Sequence, residues 1–153
     1  MKLSRMTDYA VTLATVMARG EGRLHTVTAL ARKSGLGEPT VSQILKRLTR
    51  AGLLSSVRGA TGGYSLAMGA DNITMAHVVE AMEGPIALTR CLESGHGRAC
   101  AIEEFCGTKS SWAKVNDAVK QALSNLTLAD VALEKPKSDN QESDNQQKVV
   151  NIK

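Results

Sequence analysis

Between Thr26 and Ala67 the apolar residues change period, and that change limits the possible folds more than any other feature of the chain. Up to Ala51 they recur at helical spacing. From Leu53 they form two short extended runs around a glycine-rich turn. Thr26 can cap a helix that reaches Ser34, and Gly35-Leu36-Gly37 makes the turn after it. Glu38-Pro39 opens the next helix, since proline is tolerated in a first turn, and Gly52 closes it after Ala51. Leu53 to Val57 and Tyr64 to Ala67 then read as strands joined by Arg58-Gly59-Ala60-Thr61-Gly62-Gly63. Two short helices, a glycine turn and a hairpin make a winged helix-turn-helix.

The flanking segments predict helices. Ser4 can cap a helix running to Ala18, which Arg19-Gly20-Glu21-Gly22 ends. A short helix is expected from Thr74 to Met82, stopped by Gly84-Pro85. A last long helix, Ser110 to Leu126, places Trp112, Val115, Val119, Leu123 and Leu126 along one face. The expected class is mainly α with a small β-hairpin wing: a winged helix-turn-helix followed by a long C-terminal helix. One Trp, two Tyr and one Phe leave the core to aliphatic side chains. The expected divisions are a winged helix-turn-helix over 1–84, a cysteine loop over 85–108, the long helix over 109–133 and a tail over 134–153. In that tail Ser138-Asp139-Asn140-Gln141 recurs as Ser143-Asp144-Asn145-Gln146, a polar pattern that predicts disorder.

Charge is unevenly placed. The net charge is +4, but Met1 to Met68 carries ten basic and three acidic residues, and Gly69 to Pro136 carries six and nine. A basic first half suggests a polyanionic partner for that half. Lys2 and Arg5 precede a mostly apolar run, yet Asp8 and two threonines interrupt it. The run is also too short to span a bilayer. An amphipathic helix in a cytoplasmic protein is expected, with no membrane partner. Three cysteines, an odd number, fit a reducing compartment.

In the helix from Glu38, the residues Val41, Ile44, Leu45 and Leu48 fall within an arc of about 100°. Gln43, Lys46, Arg47 and Arg50 lie opposite, with Thr40 at the edge. Such a helix can enter the major groove of double-stranded DNA. Ser42 and Gln43 would meet bases, and Lys46 and Arg47 would meet phosphates. An ordinary amphipathic helix with a solvated basic face has the same pattern, and the hairpin favours DNA. Arg58 precedes a tip without acidic or bulky side chains, suited to a narrow minor groove. The expected DNA contacts are Thr26, Glu38, Pro39, Thr40, Ser42, Gln43, Lys46 and Arg47, with Arg58, Gly59, Thr61 and Gly62 of the wing.

Cys91, Cys100 and Cys106 follow a C-x8-C-x5-C spacing in one loop. Thiolates suit iron–sulfur clusters, zinc or copper(I), and three are one short of a closed site. Glu93, His96, Glu103 and Glu104 are local candidates for a fourth ligand. His25 and His77 read as structural or solvent-facing, and Asp8 as a first-turn carboxylate favoured by the helix dipole. No nucleophile–base pair, phosphate-cradling glycine motif or nucleotide fingerprint is present, so neither an enzyme nor a small-molecule substrate is expected.

Met1-Lys2-Leu3-Ser4-Arg5-Met6-Thr7-Asp8-Tyr9-Ala10-Val11 resembles the opening of the IscR/NsrR-type transcriptional regulators. Ser56-Val57-Arg58-Gly59-Ala60-Thr61-Gly62-Gly63-Tyr64 resembles their wing, and the three cysteines occupy their cluster-binding loop. Glu83-Gly84-Pro85-Ile86-Ala87-Leu88-Thr89-Arg90-Cys91 is most similar to the branch that regulates the SUF iron–sulfur assembly operon. The resemblance covers about Met1 to Ala132. It implies a homodimer joined through the long last helix, on a palindromic operator. It also implies an iron–sulfur cluster on Cys91, Cys100 and Cys106, a 2Fe–2S cluster in preference to a 4Fe–4S one. In NsrR-like members an aspartate at the place of Asp8, from the partner subunit, completes the site. In IscR-like members a histidine three residues after the third cysteine does so, and that position is Lys109 here. The implied function is repression of iron–sulfur assembly genes. Two alternatives stand beside it: a nitric-oxide or redox sensor of the same family, and a zinc-stabilised dimeric adaptor that binds protein and not DNA.

Overall fold

A computed structural model describes residues 2–20, 22–92 and 106–133. Helix α1 (Arg5–Ala18) starts at Ser4, whose hydroxyl accepts from the Thr7 backbone N–H. Helix α2 (Val27–Ser34) starts at Thr26, whose hydroxyl accepts from Ala29 N–H at 3.1 Å. It stops at Gly35 in the left-handed region, φ 72°, where a side chain would be strained. Helix α3 (Glu38–Arg50) has Pro39 in its first turn and buries Val41, Ile44, Leu45 and Leu48. The apolar arc read from the sequence is therefore the packed face.

Strand β1 (Leu54–Val57) pairs antiparallel with β2 (Gly63–Leu66), in a register that sets Leu54 opposite Leu66 and Val57 opposite Gly63. A third segment joins them. His25 N–H donates to the Tyr64 carbonyl at 2.8 Å, and Tyr64 N–H donates back at 2.9 Å. The wing is thus sewn to the chain entering α2, and His25 is buried at 5% exposure. Helix α4 (Met75–Glu83) opens on a reciprocal cap between Thr74 and His77.

A 3₁₀ turn (Arg90–Leu92) follows, then α5 (Lys109–Ser124) and α6 (Leu128–Leu133). The expected single helix to Leu126 is corrected here: α5 ends two residues earlier, and Leu126 lies in a connection. There the chain pairs with the approach to α4. Met75 N–H donates to Leu126 O, and Leu128 N–H to Ile73 O, both at 2.8 Å. Thr127 and Asp130 cap α6 reciprocally, and Leu128 is fully buried.

The core is aliphatic. Leu13 and Met17 of α1, Leu30 of α2, the α3 stripe, Ile73, Val78 of α4 and Leu128 form one cluster. Helix α1 lies at its centre, against α2, α3, α4 and α6. Among the described residues no helix is long and apolar enough to cross a membrane. The tail from 134 lies outside the described residues.

Candidate nucleic-acid interface and cysteine site

Burial of the α3 stripe turns Gln43, Lys46, Arg47 and Arg50 outward; all four are exposed. Thr40 and Ser42 are half-buried at the edge, and Glu38 and Pro39 are exposed at the helix start. Thr26 is exposed, and although its oxygen caps α2, its hydroxyl proton stays available to an acceptor. On the wing, Arg58, Gly59 and Thr61 are exposed and Gly62 is half-buried. The glycine pair has a packing reason. A side chain at Gly62 would run into the Val57 carbonyl, and one at Gly63 would meet the His25 backbone. The tip is therefore narrow because its own turn and the third segment require it. Lys46, Arg50 and Arg58 have no acidic partner among the described residues.

Arg47 also has a partner within the fold. Its Nη1 donates to the Met82 carbonyl at 3.2 Å, at the C-terminal turn of α4. The neighbouring Glu83 carboxylate accepts from Ser4 N–H at 3.0 Å and from the Thr7 hydroxyl, at the start of α1. These bonds hold the Glu83 carboxyl below the usual carboxylate range, the Thr7 hydroxyl chiefly, then Ser4, with a smaller contribution from Arg47. Folding therefore favours the charged form. The resulting stability is full above the ordinary value of 4.5 and disappears as pH falls through the lower folded value. Glu83→Gln is expected to be less stable than wild type near neutral pH. That difference should shrink as pH falls below 4.5 and vanish once the carboxyl is protonated in the folded state as well. Urea melts across that range check it, and a difference independent of pH would contradict the assignment.

Cys91 sits in the 3₁₀ turn with Sγ 3.2 Å from the Thr89 hydroxyl. Cys106 lies just before α5, with Sγ 3.5 Å from the Thr108 hydroxyl. The Cys106 thiol is pushed down, chiefly by the Thr108 side chain, then by the Thr108 backbone, with Lys109 adding to both. Both cysteines are free and half-buried. Cys100, Glu93, His96, Glu103 and Glu104 lie outside the described residues. Among the described residues no three His, Cys, Asp or Glu side chains form a metal-sized group. Asp8 is exposed on α1, so within one chain it does not join Cys91 and Cys106 in such a group.

Asn116 of α5 was not anticipated. Its Nδ2 donates to Ile86 O at 3.1 Å, and its Oδ1 accepts from Leu88 N–H at 2.9 Å. A polar side chain of low helix propensity among Trp112, Val119 and Leu123 was the available signal. Lys120 of α5 also pairs with Glu80 of α4 at 3.0 Å.

Comparison with known proteins agrees with this architecture. The family model Rrf2, described as an iron-dependent transcriptional regulator, matches residues 3–134. The HTH-type transcriptional regulator CymR of Bacillus subtilis (strain 168) is 33% identical over 133 residues, covering 86% of this chain and 90% of CymR. IscR of Escherichia coli (strain K12 / DH10B) is 30% identical over 132 residues, covering 86% and 80%. The solved structure of B. subtilis CymR, titled the global cysteine regulator, superposes with a TM-score of 0.65 over 86% of this chain and 96% of that one. A winged helix with an outward basic helix, matched over nearly its whole described length, places this chain in the Rrf2 family of DNA-binding transcriptional regulators.

Proposed function

We propose that the chain is a cytoplasmic homodimeric repressor of iron–sulfur assembly genes that binds a palindromic operator and senses a cluster held by Cys91, Cys100 and Cys106. The observation that carries the sensing part is the placement of Cys106, a free and half-buried thiol just before α5 with its Sγ 3.5 Å from the Thr108 hydroxyl. Cys91 stands in the same connection as a second soft donor. The donors fit such a metal in kind, because thiolate is the ligand form and suits iron–sulfur chemistry. A bound iron–sulfur cluster supplies a one-electron redox centre sensitive to oxidants and iron supply. A 2Fe–2S cluster with Asp8 of the partner subunit as fourth ligand is the form the sequence resemblance favours.

The residues of the chain do the rest. Gln43 and Ser42 face base edges, while Lys46, Arg50 and Arg58 neutralise phosphates. Thr26, Glu38, Pro39 and Thr40 border that helix, and Gly59, Thr61 and Gly62 let the wing approach the duplex. Two such heads must match half-sites about one helical turn, roughly 34–36 Å, apart. Holding Cys91 and Cys106 together fixes the start of α5 relative to α4, and so the placement of the two heads.

The test is a duplex selected from a random-sequence pool, titrated with protein prepared without oxygen, before and after iron chelation. A change in affinity of about 5-fold or more is expected; equal affinities would refute sensing. Arg58→Ala should weaken binding and lower the slope of log affinity against log salt by about 1. An unchanged slope removes Arg58 from the phosphate contacts. A second reading has its own support: the same free Cys106 thiol, partly accessible and drawn toward its thiolate form, is a target for oxidation, as in a regulator that senses redox state through its thiols. An affinity that ignores chelation but changes with oxidant on metal-free protein would favour it.

A further inference from the structure

The segment from α4 to Cys91 is fastened at both ends to elements that bear on the proposed function. At its start, Arg47 of the recognition helix donates to Met82 O, and Glu83 accepts from the first turn of α1. At its end, Asn116 of α5 takes the carbonyl of Ile86 and the N–H of Leu88. Between them Ile86 is 8% exposed, buried with Ala76 and Val79 and against Leu123. An amide that bonds residues i and i+2 of a backbone replaces one rung of a strand pair and fixes both position and direction. Cys91 follows three residues after Leu88. Only Thr89 and Arg90 separate Cys91 from the Asn116 pair, so a shift of the Cys91 turn larger than those two residues absorb loads that pair and, through Met82, the Arg47 guanidinium.

We propose that Met82–Leu88 is a mechanical link between Cys91 and the recognition helix, with Arg47 and Asn116 as its positioning residues. The link rests on the reading of α3 as the helix that meets DNA. Arg47 acts on DNA through the end of α4, not through a phosphate. Coupling between two sites is reciprocal in binding free energy, so DNA on α3 must change the behaviour of Cys91 as Cys91 changes α3.

The experiment uses the full chain, reduced and metal-free, with Cys100→Ser and Cys106→Ser so that Cys91 is its single thiol. The probe is a duplex selected from a random pool with the wild-type protein. Saturating duplex is expected to change the rate of Cys91 alkylation by N-ethylmaleimide about 5-fold or more. Arg47→Gln and Asn116→Asp should each bring that change below about two-fold while still binding the duplex. Arg47→Lys, which keeps a donor, should retain it. Arg47→Gln should also leave the salt slope of binding at the wild-type value, whereas a lost phosphate contact lowers it by about 1. An alkylation rate indifferent to DNA in the parent protein would overturn the link. So would an undiminished response in both variants, or a lowered slope for Arg47→Gln. Failure of the α3 reading looks different: Gln43→Ala and Lys46→Ala would then leave affinity for the selected duplex unchanged.

Discussion

Changing Cys91, Cys100 and Cys106 together to serine is expected to strip iron from protein purified without oxygen and to make operator affinity indifferent to chelation. A serine hydroxyl is a hard donor that stays protonated near neutral pH, so it replaces neither the softness nor the charge of a thiolate. The sulfur of Cys106 is drawn toward thiolate by Thr108 and the first N–H groups of α5, so Cys106→Ser alone discards a donor already biased toward its ligand form. Iron and sulfide per chain, with the visible absorption of the wild type, are the measurements. The triple variant should fall to background while the fold, read by circular dichroism, is kept, because Cys91 and Cys106 belong to neither buried cluster. A wild-type protein that is colourless and carries stoichiometric zinc would remove the iron reading. A triple variant whose promoter occupancy still followed iron supply would place the sensor elsewhere.

What the sequence revealed of this fold follows the range of the interactions involved. The starts of α1 and α2 were legible because Ser4 and Thr26 cap them through bonds three residues long. The end of α2 was legible because Gly35 marks a left-handed residue. The packed face of α3 followed from spacing alone, since burial repeats with the helix. Helix α6 was overlooked although its signal was local. Thr127 and Asp130 form a reciprocal cap, but the apolar run through Leu126 and Leu128 reads as a continuing helix. The burial of His25 had no local signal, because its strand-like pairing is with Tyr64, far along the chain. The contacts of Arg47, Glu83 and Asn116 likewise join distant segments. Charge pattern marked Arg47 as a surface cation, and only the packing of α3 on α4 shows its inner partner. The membership in a DNA-binding family sets aside the adaptor reading, which the sequence had left open.

Helix α5 supplies the other large effect, because the apolar stripe read from the sequence divides when folded. Leu123 turns inward against Ala76, Val79 and Ile86 of the second apolar cluster. Trp112 and Val115 remain 44% and 46% exposed, and no residue of α5 is fully buried. Apolar side chains this large, one helical turn apart, are normally covered by a partner surface. A second copy of α5 is the partner the sequence resemblance names, and a two-fold interface would pair the same stripe with itself. Val115→Glu is therefore expected to place two unpaired carboxylates face to face in a dry seam, which opposes association strongly. Sedimentation equilibrium should show a dimer become a monomer, with helical content unchanged because Val115 is exposed and belongs to neither buried cluster of the described residues. Operator affinity should fall by roughly 10²–10⁴-fold, the advantage that two linked heads hold over one. Half-site duplexes should lose far less, since they engage a single α3 and wing. A variant that stayed dimeric, or that lost affinity equally for half and full sites, would show that the two heads are joined through some other surface.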